Sequence, residues 1–305
     1  MLKSEKTQLL SPLGITIPEW ACNMAPSMGH RREVRLAEEG VATIEVRSGE
    51  EASLVTASLA GTLDLTSDGY HDSVAALAWT VLSELSESSH PNVARMWSFL
   101  PGIHDDVEEW GIRYELFNKG RFTGFCRWFG SPRSFSTVLP AASAVGHDHN
   151  ALVMTAIGTS TAGLRFENPR QVPAFRYSKD HGVRPPCFAR AVLVEFLDGP
   201  RLLVSGTASI LREDSMHRGS IELQIEETFR NLVHLARSSS NTYGFSLEGV
   251  ESARIYHTCA SDQVWLMEVV RQRLPAAAAV EFVPAWLCRP ELLVEIEMTI
   301  VPQRS

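Results

Sequence analysis

Six basic side chains crowd one proline-rich stretch of a chain that is acidic overall. The stretch covers residues 163–191, which also hold Tyr177, and the basic residues are Arg165, Arg170, Arg176, Lys179, Arg184 and Arg190. The prolines predict a loop as far as Cys187. An arginine side chain is a planar fork that matches a carboxylate, so such a loop on a rigid scaffold is suited to hold a dicarboxylate. The alternative is a solvated basic loop that pairs with surface acids.

The last strand-like run of the chain carries two carboxylates, Glu295 and Glu297. They alternate with apolar residues, so the two-residue period of a strand projects both acids from one face. If that face lines a cavity, burial and like-charge repulsion each raise a carboxyl pKa and create a proton donor usable near neutral pH. If it faces water, the two acids only keep the strand soluble.

Two uncharged residues near these runs are further candidates. Cys288 precedes the acidic strand, and a lone cysteine beside apolar residues is usually an inert packing residue. Gly206 lies in the strand-like run VSGTASI, where a glycine lets a ligand or another backbone approach closely. The five cysteines are scattered without metal-ligand spacing, which predicts no structural zinc and a reducing compartment.

The chain has no GxGxxG, P-loop, HExxH or nucleophile-elbow motif. Nucleotide-binding, zinc-hydrolase and α/β-hydrolase functions therefore lack their usual sequence support. The net charge of -8 argues against nucleic acid or an anionic membrane as a partner, because both need a basic surface. No run reaches the roughly 18 apolar residues of a membrane span, and we expect a cytoplasmic protein.

Two amphipathic helices, over residues 70–86 and 220–236, are the strongest elements of the pattern. Each precedes a strand-like run (92–100 and 250–259), a helical stretch (107–117 and 264–274), a Pro-Ala pair and a final apolar strand. This repeated order predicts an α/β (α+β) fold of two tandem halves, with mixed sheets each covered by helices. We place the domains at 1–165 and 166–305, packed together around residues 160–190. Two unrelated α+β domains are the alternative.

Seven short motifs together resemble the chorismatase family, in the same order along residues 90–300. They are YELFNKGRF, PAASAVG, ENPRQVPAFRY, GVRPPCFARA, VSGTASI, QIEETFRNL and LCRPELLVEIE. The last third also resembles the wider YjgF-like fold, which many activities share. The first 60 or so residues match no part of the family pattern that we recognise.

The resemblance implies an enzyme that removes pyruvate from chorismate without metal or cofactor. It implies a monomeric or weakly associated protein of two YjgF-like halves with chorismate in the cleft between them. By motif, Tyr114, Arg121, Tyr177 and Arg190 would bind the two carboxylates and the hydroxyl of chorismate. Glu295 would be the general acid that protonates the enolpyruvyl methylene.

Two positions separate branches of the resembled family. In this chain they are occupied by Gly206 and Cys288, and we count Gly206 among the substrate-binding residues. This pair resembles the branch that forms 3-hydroxybenzoate, in which the ring hydroxyl displaces the activated side chain and the cysteine, a catalytic residue, aids rearrangement. Alanine at the first position is typical of the branch that hydrolyses chorismate to a dihydroxycyclohexadiene carboxylate. A hydrolase, a non-catalytic YjgF-like ligand-binding protein and an imine deaminase remain alternatives.

One departure from the family pattern follows the VSGTASI run. Arg212 and Glu213 stand where the family pattern has a Gly-His pair. The geometry of this turn, which lies before the second helix, is therefore open from the sequence. The change is not expected to remove a catalytic group, but it is expected either to alter the product ratio or to mark a divergent subfamily.

Overall fold

The computed structural model describes residues 15–36, 40–239 and 243–303. Its first half contains α1 (Glu19–Met24), β1 (Ser27–Arg35), β2 (Val41–Ser48), β3 (Ala52–Ala60), α2 (Ser67–Ser86), β4 (Asn92–Pro101), β5 (Asp106–Val107), β6 (Gly111–Ile112), α3 (Arg113–Phe129), α4 (Phe135–Val138), β7 (Ala141–His147) and β8 (Ala151–Thr159). Its second half contains β9 (Leu164–Phe166), β10 (Ala191–Phe196), β11 (Gly199–Ala208), β12 (Ile210–Leu211), β13 (Asp214–Ser215), α5 (Ile221–Ser238), β14 (Val250–His257), α6 (Gln263–Arg273), β15 (Ala279–Pro284) and β16 (Val294–Ile300).

Each half forms one six-stranded mixed sheet, and the two sheets have the same topology. The strand orders are β1-β2-β3-β8-β4-β7 and β9-β10-β11-β16-β14-β15. In both, the last pair, β4 with β7 or β14 with β15, is parallel, whereas the other neighbours are antiparallel. The predicted α/β class and the two tandem halves are therefore confirmed.

Two details of the predicted repeat are wrong. The helical stretch expected over residues 107–117 begins with a short hairpin of β5 and β6, and helix α3 starts only at Arg113. The two Pro-Ala pairs are not equivalent, since Pro140 precedes β7 whereas Pro284 ends β15. A proline has no N–H to donate to a strand ladder, so both ends of a strand accept it and the sequence does not distinguish them.

The helices cover the outer face of each sheet, and the inner faces pack against each other. Helices α2 and α3 contribute to the core of the first half, and α5 and α6 to that of the second. A third apolar cluster joins the sheets, with Trp97 and Phe99 of β4 beside Ala208 of β11 and Tyr256 of β14. The polar residues of these inner strands consequently lie between two sheets and away from solvent.

Helix α3 packs unusually close to α2 because two of its residues are glycines one turn apart. A Cβ on Gly120 would lie 2.7 Å from the carbonyl oxygen of His71, and one on Gly124 the same distance from that of Ala75. On α3, Tyr114 and Arg121 are seven residues apart, hence on one helix face. Both side chains are buried and turned to the space between the halves.

The strands of the first sheet end at Thr159 and those of the second begin at Leu164. The predicted domain limit at residue 165 falls inside β9 and stays a prediction about domains. No helix within the described residues is long and apolar enough to cross a membrane.

Candidate active site

A cleft of about 290 Å³ opens between the two halves and gathers the seven residues that the family resemblance assigns to the site. The first half contributes side chains from α3 and β7, and the second contributes them from β11, β16 and the segments before β10 and β16. The residues gathered are Tyr114, Arg121, Tyr177, Arg190, Gly206, Cys288 and Glu295. Of the six basic residues in the segment 163–191, only Arg190 lines this cleft.

The other five basic residues of that segment do not line the cleft, and two of them, Arg165 and Arg170, have structural contacts, so the interpretation of the whole loop as a dicarboxylate site is corrected. Arg165 donates to the carbonyl oxygens of Leu139 and Val138 and so ties the two halves together. Arg170 pairs with Glu227 of α5. The prolines make the loop rigid, but the direction of each side chain depends on the element beneath it.

The carboxyl group of Glu295 occupies the space above Gly206. Strand β11 pairs with β16 through a register shift between Val204 and Thr207, and this one-residue bulge contains Gly206. A Cβ on Gly206 would overlap the Glu295 carboxyl and stand 2.9 Å from Oγ of Ser143. The absence of a side chain at position 206 is thus what lets the carboxyl group sit there.

Glu295 is 4% exposed, so its strand face lines a cavity and not the solvent. Burial raises the pKa of Glu295 to about 8, with the negative charge of Glu297 as the second cause. Arg95 and Arg190 oppose this rise but do not cancel it. At neutral pH the group is therefore mostly a neutral acid that can donate a proton.

Glu297, two residues further along β16, is held by a buried polar network between the sheets. Its carboxylate accepts hydrogen bonds from Arg95 at 2.6 Å and from the indole of Trp97 at 2.8 Å, and a third from Ser143. Ser143 Oγ in turn accepts hydrogen bonds from Arg95 at 2.7 Å and from the backbone N–H of Gly206 at 3.0 Å. The network fixes the two carboxyl groups relative to each other and to the cleft.

Arg121 and Arg190 are buried in the cleft wall, and neither guanidinium group forms an ion pair with a carboxylate of the described residues. They are 2% and 3% exposed. Arg121 donates to Oδ1 of Asn118 at 3.1 Å, and Arg190 donates to the hydroxyl of Tyr177 at 2.6 Å. Because a buried guanidinium group needs an anion to offset its lost hydration, the pair marks a site for an anionic ligand.

Tyr114 and Cys288 stay neutral in this environment. Burial is the main cause that raises the pKa of Tyr114 above its ordinary value, so its hydroxyl remains a hydrogen-bond donor. Burial, followed by the nearby Glu295, raises the pKa of Cys288 to about 12. Its sulfur is consequently a thiol and not a nucleophilic thiolate.

Two residues of the cleft escaped the sequence analysis, Ser143 and Arg289. Ser143 lies inside the quoted run PAASAVG, but a serine in an apolar strand carries no signal by itself. Arg289 directly follows Cys288, donates to Oγ of Ser215 at 3.0 Å and lies over the ring of Tyr177. A basic residue next to a candidate cysteine was the signal that could have indicated it.

The unusual pair Arg212 and Glu213 forms the tip of the hairpin between β12 and β13. Arg212 has a φ of 57°, in the left-handed region that favours glycine, so the chain keeps this turn in spite of the arginine. The Glu213 carboxylate accepts a hydrogen bond from the backbone N–H of Ser178 at 2.8 Å.

Within the described residues, no group of three or more His, Cys, Asp or Glu side chains could hold a metal ion. The expectation that the protein works without metal or cofactor stays a prediction.

Comparison with known proteins identifies the family. A 3-hydroxybenzoate synthase from Streptomyces hygroscopicus is 30% identical over 245 residues, which is 76% of this chain and 70% of that protein. The chain belongs to the chorismatase family. A protein named chorismatase from the same organism is 29% identical over 235 residues, covering 75% of this chain and 67% of the relative.

Family and structure comparisons agree with this assignment. The family model described as chorismatase FkbO/Hyg5-like, N-terminal, matches residues 30–158. The crystal structure of a chorismatase superposes with a TM-score of 0.75 and 25% identity, covering 84% of this chain and 77% of that one. The family match thus begins in β1, within the first 60 residues that the sequence motifs left unassigned.

The raised pKa of Glu295 makes the free energy of unfolding depend on pH. The folded state holds this proton up to about pH 8, whereas an ordinary glutamate loses it near 4.5. The stabilising contribution is therefore fully present below pH 4.5 and is lost progressively as the pH rises towards 8. Urea denaturation at several pH values between 4.5 and 8 should show the free energy of unfolding of wild type falling relative to that of Glu295→Gln. A difference between the two proteins that stays constant with pH would contradict the raised pKa.

Proposed function

We propose that this protein converts chorismate to 3-hydroxybenzoate and pyruvate. The observation that carries the proposal is a neutral carboxylic acid, Glu295, in one cleft with two buried guanidinium groups that form no ion pair among the described residues. Membership of the chorismatase family and the 30% identity to a protein named 3-hydroxybenzoate synthase support it. The products together contain the atoms of chorismate, so this route consumes no water.

The substrate is held by complementary charge. Chorismate carries two carboxylates, and in the proposal Arg121 and Arg190 each pair with one of them. Two tyrosines complete the proposed binding set by hydrogen-bonding the substrate. Tyr114 keeps its hydroxyl protonated, and the hydroxyl of Tyr177 accepts a hydrogen bond from Arg190. The anion supplies the ion pair that neither buried guanidinium group forms within the described residues.

Glu295 then acts as the general acid. Its proton goes to the methylene carbon of the enolpyruvyl group, and the side chain becomes an oxocarbenium-like leaving group. The ionised Glu295 that remains is stabilised by Arg190 and Arg95, the two cations that already act on its pKa. The protein thus stores the proton in a dry site and offsets the charge left after its transfer.

Displacement follows inside the ring. The ring hydroxyl oxygen attacks the neighbouring carbon as the bond from that carbon to the ether oxygen breaks, and pyruvate leaves with the ether oxygen. The arene-oxide-like intermediate opens and loses a ring proton, and its oxygen takes up a proton to give the phenol. The proton released from the ring hydroxyl balances the one that returns Glu295 to its acid form. Cys288, a neutral thiol beside Glu295, is placed to aid this rearrangement.

Product analysis tests the function directly. Purified protein with chorismate as the only substrate, in water enriched in ¹⁸O, should release pyruvate and an equal amount of 3-hydroxybenzoate without the label in the aromatic product. Formation of a dihydroxycyclohexadiene carboxylate would show hydrolysis instead. Binding of chorismate in calorimetry without pyruvate release would show a non-catalytic ligand-binding protein. Either result would overturn the proposal.

Replacement of the acid should abolish most turnover. Glu295→Gln keeps the size of the side chain but has no transferable proton, so we expect kcat to fall by about 100- to 10,000-fold with the fold intact. Glu248→Gln, an exposed change outside the cleft, serves as the matched control. Steady-state pyruvate release checks both variants, and full activity of Glu295→Gln would exclude this residue as the acid.

The pH profile reports the same group in the free enzyme. Since the neutral form of Glu295 is the active one, kcat/KM in wild type should decline as the pH rises through about 8.

A methyl group at position 206 should change the outcome of the reaction. In Gly206→Ala the new Cβ overlaps the Glu295 carboxyl, which must then move from its place above β11. We expect a loss of 3-hydroxybenzoate and a larger share of hydrolysed product, because the displaced acid no longer protonates the side chain in the geometry for internal displacement. Chromatographic product ratios measure this, and an unchanged ratio would remove Gly206 from product control.

A further inference from the structure

The hairpin of β12 and β13 supports the wall of the cleft that carries Tyr177. Its tip is the pair Arg212 and Glu213, of which Arg212 has a φ in the left-handed region. The backbone of Arg212 bonds to the wall segment on both sides, donating to the carbonyl oxygen of Arg170 at 2.9 Å and accepting from the N–H of Val172 at 2.8 Å. A non-glycine residue in the left-handed region persists only where its surroundings hold it there, and such strain tends to lie near functional sites.

Glu213 fastens a second point of the same wall, next to Tyr177. Its carboxylate accepts a hydrogen bond from the backbone N–H of Ser178 at 2.8 Å. This hydrogen bond is the largest of the causes that hold the pKa of Glu213 below its usual range. Glu213 therefore presents an ionised acceptor, which makes a stronger hydrogen bond than a neutral one. Ser178 follows Tyr177 directly, so this bond fixes the backbone from which the tyrosine projects.

The position of Tyr177 matters because its hydroxyl is a contact of a cleft cation. Arg190 donates to that hydroxyl at 2.6 Å, and the guanidinium group of Arg289 lies 5.7 Å from the centre of the tyrosine ring. Arg289 also donates to Ser215 of the same hairpin. The hairpin thus contacts Arg289 directly and affects Arg190 through Tyr177.

We propose that Glu213 is a positioning residue that sets the affinity of the cleft for its anionic substrate by fastening the Tyr177 wall segment to the β12–β13 hairpin. It contacts the wall and not the substrate. The inference rests on the proposed function for its kinetic test, but the hydrogen bond to Ser178 can be tested without any substrate.

Removal of this bond should weaken binding and leave the chemical step intact. In Glu213→Ala we expect KM for chorismate to rise about 5- to 10-fold with kcat within about twofold, because the wall segment that carries Tyr177 holds substrate and transition state alike. Glu213→Gln keeps an acceptor oxygen for Ser178 and should restore KM to within about twofold of wild type. A residue without a role in the cleft would move neither constant.

Two control variants distinguish the loss of the Glu213–Ser178 hydrogen bond from a general disturbance of the hairpin and from the loss of a surface charge. Arg212→Gly suits the left-handed backbone and retains the turn, so KM should not change. Glu248→Ala removes an exposed glutamate outside the cleft. An unchanged KM in Glu213→Ala, or a Glu213→Gln variant as impaired as Glu213→Ala, would overturn the proposal.

Hydrogen exchange measured by mass spectrometry tests the contact itself. The peptide over residues 174–182 should exchange faster in Glu213→Ala than in wild type, and at the wild-type rate in Glu213→Gln and Glu248→Ala. If wild type releases no pyruvate from chorismate, the proposed function fails while the exchange result still decides the hydrogen bond. Equal exchange in wild type and Glu213→Ala would overturn the fastening role.

Discussion

The buried ion pair between Arg95 of β4 and Glu297 of β16 is the interaction on which the cleft depends. It joins the two sheets across their inner faces, and Trp97 and Ser143 complete the hydrogen bonding of the carboxylate. Removing one partner of such a pair leaves an uncompensated buried charge, which costs about 3–5 kcal/mol. The same carboxylate is the second cause, after burial, of the raised pKa of Glu295, so one contact links the packing of the halves to the proton donor.

The two halves share a topology but not a chemistry. Strands β8 and β16 hold the same place in their sheets, yet β8 reads ALVMTAIGT and carries no ionisable group. Glu295 and Glu297 have no counterpart on β8, and the cleft combines Glu295 with side chains of α3 and β7 from the other half. A duplicated scaffold therefore supplies two different walls of one site.

Three ionisable side chains of the cleft stay neutral because they are buried away from solvent. Glu295, Tyr114 and Cys288 all have raised pKa values, and burial is the largest cause for each. The cations there are arginines, which keep their charge when buried. The cleft thus pairs permanent positive charge with acids that hold their protons, which suits protonation of an anionic substrate.

The sequence by itself determined the fold class, the two core helices and the period that puts Glu295 and Glu297 on one strand face. These are local properties, because they depend on the spacing of residues two to four positions apart in the chain. The tertiary structure decided that this strand face is dry, that Arg190 is the one basic side chain of its segment to line the cleft, and that Arg212 can occupy a turn suited to glycine. Those outcomes depend on partners far away in the chain, such as Arg95 and Glu297 at a separation of 202 residues, and no local pattern encodes them.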